Sequence, residues 1–190
     1  MFPVDAFRDT LLKAVALFRD REIAFHLTGG STSVYYGEPR MTQDIDVVID
    51  NRATARGLES FLKALRHSDF MYDEISIRRA VADRGMFQLL DTVESLKLDV
   101  YPRELIPGEL SRSVDVELFA NETLPIASRA DAAVSKLVWV DKGSHKSRRD
   151  LRQIFRTAGE ADRRSIRQLA RELELETLLD EVLAESDAVL

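Results

Sequence analysis

The 190-residue sequence contains no cysteine. This absence excludes disulfide bonds, thiolate metal sites and a cysteine nucleophile, and it is typical of proteins in a reducing compartment. Glycine and proline are scarce, at 8 and 5 residues, and no segment has low complexity, so extended disorder is not expected. No apolar run is long enough to span a membrane, and the first twenty residues carry charges throughout, unlike a secretory signal. We therefore expect a globular cytoplasmic protein with no membrane segment.

The composition is that of an ordinary folded chain, 45% hydrophobic and 32% charged, and its length suits one core with or without a helical appendage. The net charge of -6 is unevenly distributed, because residues 144–171 contain nine basic and three acidic residues, which leaves 18 basic and 30 acidic elsewhere. Such a basic segment can bind RNA or nucleotide phosphates, but a solvated helix face is the commoner explanation.

The order of residues between 26 and 50, HLTGGSTSVYYGEPRMTQDIDVVID, is the most informative. A short apolar run at 23–27 ends at Gly29-Gly30, and Ser31 is a candidate cap for a following helix. The stretch DIDVVID predicts a strand with one apolar and one acidic face, because strand side chains alternate. The acidic face would carry Asp44, Asp46 and Asp50, although Asp50 is too distant along the strand to share an ion with Asp46.

The rest of the sequence predicts both helices and strands. Amphipathic helices are expected at 5–20, after a cap at Asn51, and at 73–83, and a hairpin is expected from strands 86–90 and 96–101, the second of which places Asp99 on a polar face. The segment 102–127 is interpreted as a connection, and helices follow from a capping box at Ser128. This pattern predicts an α+β fold, with a mixed-sheet core flanked by helices in residues 1–125 and a helical region packed on it in residues 126–190.

These elements suggest a chemistry for the acidic strands. Two carboxylates at i and i+2, with a third on a neighbouring strand, repel one another unless a cation neutralises them. Mg²⁺ is the expected cation, because it combines a few carboxylates with substrate phosphates. The glycine turn lets the backbone and a helix N-terminus approach a phosphate. Together they predict phosphoryl or nucleotidyl transfer from a nucleoside triphosphate.

Gly-Gly-Ser, thirteen residues between Gly30 and Asp44, and the Asp-Ile-Asp strand resemble the pattern of the DNA polymerase β-like nucleotidyltransferase superfamily. Within that superfamily, GGSTSVYYGEPRMTQDIDVVI is similar to the abortive-infection type toxin nucleotidyltransferases and their uncharacterised relatives. LKLDVY matches the strand of the third carboxylate, and SKLVWV followed by SRRDLRQI resembles the helical Lys and Arg-Asp elements. The resemblance covers residues 20–160 and implies a mixed-sheet nucleotidyltransferase core followed by helices.

The resemblance also implies a role for each matching residue. The nucleotide would be held by Gly29, Gly30, Ser31, Arg40 and Thr42. Mg²⁺ would be held by Asp44, Asp46 and Asp99, with Asp99 as candidate base for the acceptor hydroxyl. Lys136 and Asp150 would complete the catalytic set.

Lys136 has independent support, because its neighbours three and four residues away are apolar and an unpaired lysine there is costly. A triphosphate or Asp150 would serve as its anionic partner, unless its ammonium reaches water. Asp150 is flanked by arginines and has surface ion pairs as its alternative role, and Trp139 is interpreted as a packing residue.

The leading hypothesis is a Mg²⁺-dependent, ATP-binding type of nucleotidyltransferase that moves a nucleoside monophosphate onto RNA, tRNA included, or onto a protein. It would be the toxin of a toxin–antitoxin pair, with an antitoxin protein as partner. Two alternatives remain open at this point: transfer to a small molecule of the aminoglycoside type, favoured by the acidic surface, and a nucleotide-binding or interaction module without turnover.

Overall fold

The computed structural model describes residues 4–38 and 44–186. The helices in these ranges are α1 (Val4–Arg19), α2 (Gly29–Tyr36), α3 (Asn51–Arg56), α4 (Leu58–Leu65), α5 (Glu74–Asp83), α6 (Arg129–Asp141), α7 (His145–Arg156), α8 (Glu160–Glu172) and α9 (Glu176–Ala184). The strands are β1 (Phe25–Leu27), β2 (Asp44–Ile49), β3 (Phe70–Met71), β4 (Phe87–Asp91), β5 (Leu96–Tyr101), β6 (Val114–Phe119) and β7 (Glu122–Ile126).

These strands form one mixed sheet in the order β3-β4-β5-β2-β1-β7-β6. β2 pairs with β5, and β1 with β7, in parallel, whereas the other neighbours are antiparallel. The predicted α+β fold with a mixed sheet is therefore confirmed, and so is the antiparallel pairing of the two strands predicted as a hairpin.

The two faces of the central strands differ as the alternation of β2 predicts. Ile45, Val47 and Ile49 are fully buried, and on this side of the sheet α1 and α4 supply Phe18 and Phe61, whose rings lie 6.2 Å apart. The opposite face of β2 and β5 carries the charged residues, and α2, against which α6 packs, covers part of β2. The hydrophobic core thus fixes which way the carboxylates point.

The interpretation of 102–127 as a connection is wrong, because this segment contains the β6–β7 hairpin. In β6 only Val116 is buried, although residues 114–118 alternate apolar and polar side chains as a strand does. Pro125 lies within β7 opposite Asp115, and proline argues against a strand in sequence analysis. β7 joins the hairpin to the rest of the sheet, because it pairs with β1 through Leu27 and Ile126.

Two predicted helix caps also differ from the structure. α2 begins at Gly29 after Thr28, so Ser31 lies inside the helix and does not cap it. Asp50, not Asn51, caps α3, because its Oδ1 accepts hydrogen bonds from the N–H groups of Arg52 and Ala53 at 2.7 and 3.2 Å. Asp50 therefore serves the helix and does not belong to the acidic face of β2.

The C-terminal helices pack around α6, in which Ala132, Ala133, Val134 and Leu137 are fully buried. Its predicted start is confirmed, since Ser128 Oγ accepts a hydrogen bond from the Asp131 N–H at 3.1 Å. α6 and α7 both contact α2, and the division at residues 125 and 126 stays a prediction. Among the described helices, none has both the length and the apolar character that crossing a membrane requires.

Candidate active site

An acid cluster, defined as Asp44, Asp46 and Asp99, lies on the helix-covered face of the sheet. Asp44 and Asp46 are two residues apart on β2, and the parallel register places Asp46 opposite Asp99 on β5. Alternation directs all three side chains to the same face. The cluster runs from the surface inward, with the Asp44 side chain 55% exposed and that of Asp99 13% exposed.

Lys97 contributes a cation to this cluster that was not identified in the sequence. Its Nζ lies 3.3 Å from Asp99 Oδ2 and 3.5 Å from Asp44 Oδ1. Gln88 Nε2 donates a hydrogen bond to Asp99 Oδ1 at 3.0 Å. Burial lowers the pKa of Lys97, but Asp99 and Asp44 outweigh burial, and the pKa is raised above its ordinary value. The lysine is therefore charged when it contacts the cluster.

The acid cluster suits a hard divalent cation by its donor set, because all its ligands are carboxylate oxygens. It already attracts a positive charge, the ammonium of Lys97. Within residues 4–38 and 44–186, no three acidic or imidazole side chains are arranged to hold a metal ion in the present side-chain positions. The residues thus fit Mg²⁺ in chemistry, and binding requires their side chains to rearrange.

Asp46 connects the cluster to the glycine turn. Its Oδ2 accepts a hydrogen bond from the Gly30 N–H at 3.3 Å, and its Oδ1 accepts one from the Tyr101 hydroxyl at 3.4 Å. Burial raises the pKa of Asp46, and the negative charges of Asp99 and Asp44 add to this effect, whereas the Gly30 hydrogen bond and Lys136 oppose it. Asp46 therefore lies where a cation would be most stabilising.

Gly29 permits this close approach of turn and carboxylate. Its φ is +61°, and a Cβ at this position would lie 2.0 Å from Asp46 Oδ2. Any other residue would both strain the backbone and displace Asp46. Glycine at position 29 is thus required by the contact between the start of α2 and β2.

The sequence indicates a role for Ser31, whereas the structure places Ser33 in the contacts of the glycine turn. The Ser31 hydroxyl is buried, has no hydrogen-bond partner among the described residues, and does not line the cavities next to the acid cluster. Ser33 Oγ lies 3.0 Å from both the Gly29 carbonyl oxygen and Asp150 Oδ2. Ser33 therefore links the glycine turn to α7, although its position in the sequence gave no sign of it.

Lys136 and Asp150 meet on the other side of the glycine turn. Lys136 Nζ on α6 lies 3.4 Å from Asp150 Oδ2 on α7, and both side chains are largely buried. Asp150 has a hydrogen bond from Ser33 as well, so its role goes beyond a surface ion pair. The structure brings the pair to the same cavity as Gly29, Gly30, Asp44 and Asp46.

This cavity, which we call the outer cavity, has a volume of about 190 Å³. Its walls include Gly29, Gly30, Asp46, Lys136, Trp139 and Asp150. A smaller cavity of about 40 Å³ adjoins it, shares Asp46, Tyr101 and Trp139, and extends to Arg103 and Glu109.

The interpretation of Trp139 as a packing residue is wrong. The side chain is 37% exposed and lines both cavities. Lys142 Nζ lies 5.3 Å from the centre of its ring. Trp139 follows Lys136 by three residues on α6, so the pattern that suggested an apolar stripe also places an aromatic ring at the mouth of the site.

The basic segment 144–171 is largely neutralised by nearby acids. Arg148 and Arg152 both pair with Glu185, and Arg149 pairs with Glu38. Arg167 and Asp180 form a further pair on α8 and α9. These contacts favour a structural role for most of the segment.

Two of the predicted nucleotide-binding residues, Arg40 and Thr42, lie outside the described residues.

Comparison with known proteins gave one family and several solved structures. The model of the family described as "Nucleotidyl transferase AbiEii toxin, Type IV TA system" matches residues 10–185. A search of curated proteins found no match.

Among solved structures, the solution structure of the antibiotic-resistance factor ANT(2'')-Ia is 15% identical, covers 95% of this chain and 97% of its own, and has a TM-score of 0.61. The crystal structure of ANT(2'')-Ia with adenylyl-2''-tobramycin is 16% identical and has a TM-score of 0.49. The match covers 95% of this chain and 97% of that one. The crystal structure of the lincosamide antibiotic adenylyltransferase LnuA, lincomycin-bound, is 15% identical and has a TM-score of 0.44. The match covers 84% of this chain and 93% of that one. At this identity the first of them supports the fold alone.

The family match is of a different weight, since it extends over nearly the whole chain, from α1 through α9, and contains every described residue of the site. The chain is therefore a nucleotidyltransferase, and it belongs to the AbiEii toxin family of type IV toxin–antitoxin systems.

Proposed function

We propose that this nucleotidyltransferase moves a nucleoside monophosphate from a nucleoside triphosphate onto a hydroxyl of RNA, tRNA included, with Mg²⁺ held by the acid cluster. The observation that carries the proposal is the register of β2 and β5, which sets Asp46 against Asp99 beside the Gly29-Gly30 turn. A phosphate-binding turn directly next to paired carboxylates is what nucleotidyl transfer requires.

The triphosphate occupies the outer cavity in this proposal. The first N–H groups of α2 and the positive end of its dipole favour a phosphate at Gly29 and Gly30. Lys136 supplies a positive charge on the opposite wall of the cavity. Its position is fixed by the contact with Asp150, which also accepts a hydrogen bond from Ser33. Bound Mg²⁺ would supply charge neutralisation between the carboxylates and the phosphate oxygens.

The acceptor hydroxyl approaches from the side of Asp99. Its oxygen forms a bond to the α-phosphorus, its proton passes to the Asp99 carboxylate, and the bond from the α-phosphorus to the bridging oxygen breaks to release pyrophosphate. Gln88 fixes the orientation of Asp99 through a hydrogen bond from its Nε2 to Asp99 Oδ1 at 3.0 Å. An oriented carboxylate is a more effective base than a free one.

RNA is the proposed acceptor because two exposed lysines, Lys142 and Lys146, lie at the mouth of the outer cavity. Lys142 lies over the exposed ring of Trp139, and Lys146 lines the cavity itself. Cations next to an exposed aromatic ring suit a phosphate backbone and an unstacked base. Membership of a type IV toxin family also implies an antitoxin as partner.

The proposal predicts Mg²⁺-dependent transfer of label from an α-labelled triphosphate to RNA. The full chain should be incubated with each of the four triphosphates, Mg²⁺ and total RNA, and the product identified by gel and mass spectrometry. Asp44→Asn should reduce the rate by about 100-fold or more, because it removes a charged metal ligand. Transfer that is independent of Mg²⁺, or unchanged by Asp44→Asn, would contradict the proposal.

Parallel arms with protein lysate and with aminoglycosides identify the acceptor. Label on a protein or on a cationic small molecule, with none on RNA, would overturn the RNA assignment and leave the transfer chemistry in place. Triphosphate binding without any transfer would instead favour a binding module. Asp115→Asn is a matched control, because Asp115 lies on the exposed edge strand β6, away from the cluster.

A further inference from the structure

Lys97 shares a face with the acid cluster because it precedes Asp99 by two residues on β5 and lies opposite Asp44 in the parallel register. Its Nζ lies within 3.5 Å of one oxygen from each of these carboxylates. Leu96 and Leu98 on either side are buried, so the backbone cannot rotate the lysine away without disturbing the core. The strand thus fixes the face on which the Lys97 side chain lies, and leaves its rotamer free.

A divalent ion and this ammonium compete for the same oxygens. Mg²⁺ binds carboxylate oxygens at about 2.0–2.1 Å and accepts little distortion of its octahedral geometry. An ammonium in contact with Asp44 and Asp99 would repel the ion strongly at the reduced dielectric of a partly buried site. Metal entry therefore requires the Lys97 side chain to move.

The surroundings give the Lys97 side chain space to do so. It is 36% exposed and also lines an open cleft of about 640 Å³ toward β4, together with Tyr72, Gln88 and Leu90. A change of side-chain rotamer, without any movement of β5, is enough to transfer the ammonium from the cluster into this cleft.

We propose that Lys97 is a positioning residue that neutralises Asp44 and Asp99 in the free protein and leaves the cluster when metal arrives with a triphosphate. The inference rests on the proposed function, since it takes the acid cluster as the metal site. Displacing the ammonium costs free energy and so weakens the binding of metal alone. Phosphate oxygens that bind the same ion would offset this cost. Metal alone therefore binds weakly, and metal and triphosphate bind cooperatively.

The test is direct Mn²⁺ binding to the full-length chain, measured by electron paramagnetic resonance with and without a non-hydrolysable triphosphate. Lys97→Met keeps the length of the side chain and removes its charge. It should raise the affinity for Mn²⁺ without nucleotide by about 10- to 100-fold, from the loss of a unit charge near the ion. It should also reduce the factor by which the nucleotide improves Mn²⁺ binding.

Three further variants serve as controls. Lys97→Arg keeps the charge and should bind Mn²⁺ as weakly as the unaltered protein, and Lys97→Gln is a second neutral variant in case Lys97→Met folds poorly. Lys63→Met makes the same change of net charge on the exposed face of α4 and should leave Mn²⁺ affinity unchanged. In melting experiments without nucleotide, Mn²⁺ should stabilise the neutral Lys97 variants more than the unaltered chain.

The possible outcomes separate this inference from the proposed function. Unchanged Mn²⁺ affinity in both neutral variants, or an equal gain in Lys63→Met, would overturn the role of Lys97 alone. Tight Mn²⁺ binding by the unaltered protein without nucleotide would do the same. If the unaltered protein bound no Mn²⁺ even with the triphosphate, the acid cluster would not be a metal site and the proposed function would fail with it.

Discussion

At the scale of the single residue, Gly29 gives the sharpest prediction. A methyl group at this position would overlap the Asp46 carboxylate, and the φ of +61° disfavours any side chain. Gly29→Ala should therefore lower transfer by about 100-fold, as expected for a displacement of about 1 Å at a reacting group. Nucleotide binding can be followed by the fluorescence of Trp139, the sole tryptophan of the sequence, and should weaken in parallel.

Gly85→Ala is the matched control for this prediction. A Cβ at Gly85 would meet Ala80 Cα at 3.6 Å, an ordinary van der Waals contact. Its activity should stay within about twofold of the unaltered rate, as for a surface substitution away from special features. If Gly29→Ala were as active as Gly85→Ala, the close approach of the turn to Asp46 would not matter for catalysis.

The residues that could be identified from the sequence are those whose role follows from local spacing. Alternation along β2 and β5 is enough to place Asp46 and Asp99 on one polar face. Ser33 and Lys97 could not be identified, because their contacts with Asp150 and Asp44 join segments that are distant in the sequence. Trp139 was assigned to packing, because helical spacing does not show what covers a face. Lys97 even carries the usual signature of a solvated strand residue, and only the register with β2 brings it to Asp44.

At the scale of the secondary-structure element, α1 is attached to the β4–β5 hairpin by Asp91. This fully buried carboxylate accepts hydrogen bonds from Thr10 Oγ1 at 2.9 Å and Lys13 Nζ at 2.9 Å. Its Oδ1 also accepts hydrogen bonds from the N–H groups of Val93 and Glu94 in the turn. Asp91 thus orders the turn and the helix together.

Asp91→Asn should lower the free energy of unfolding by about 1.5–3 kcal/mol, the range for hydrogen bonds to a charged group. Burial raises the pKa of Asp91, but the hydrogen bonds from Lys13, Thr10 and the turn outweigh it and lower the pKa below its ordinary 3.8. The folded pKa is therefore lower than the unfolded one. The stabilisation is complete above pH 3.8 and is lost as the pH falls through the folded value.

Urea unfolding of the unaltered protein and of Asp91→Asn, at pH values above and below 3.8, measures the difference in their free energies of unfolding. Asp69→Asn is the control, because Asp69 is 60% exposed and lies 3.7 Å from the same lysine. It should cost less than about 1 kcal/mol, as exposed ion pairs do. If the difference in free energy of unfolding between Asp91→Asn and the unaltered protein did not decrease at acid pH, this account of Asp91 would be wrong.

Most helices and the β4–β5 hairpin were predictable because one apolar face of each packs on the core. The β6–β7 hairpin was missed, although residues 114–118 alternate apolar and polar side chains, because Pro102, Pro107 and Pro125 indicated a connection. The caps were misplaced by one to three residues because Asp50 and Thr28 compete with equally suitable neighbours, Asn51 and Ser31.

At the scale of the whole molecule, the region 126–190 shares its packing with the core. α6 and α7 contact α2, and the Lys136–Asp150 pair is joined to α2 by Ser33. We therefore expect the chain to unfold in one cooperative transition. Trp139 fluorescence reports on the helical region and far-ultraviolet circular dichroism on the whole chain, so the two urea curves should coincide. An earlier transition by fluorescence would identify 126–190 as an independently unfolding unit.

The bridge between Ser33, Lys136 and Asp150 has a consequence for how the protein is made. Its three members are separated by more than a hundred positions from first to last, and translation delivers them in that order. A chain still attached to the ribosome displays its glycine turn and carboxylates long before the lysine–aspartate pair exists. On the proposed assignment, the nucleotide site is therefore incomplete until most of the chain has been synthesised.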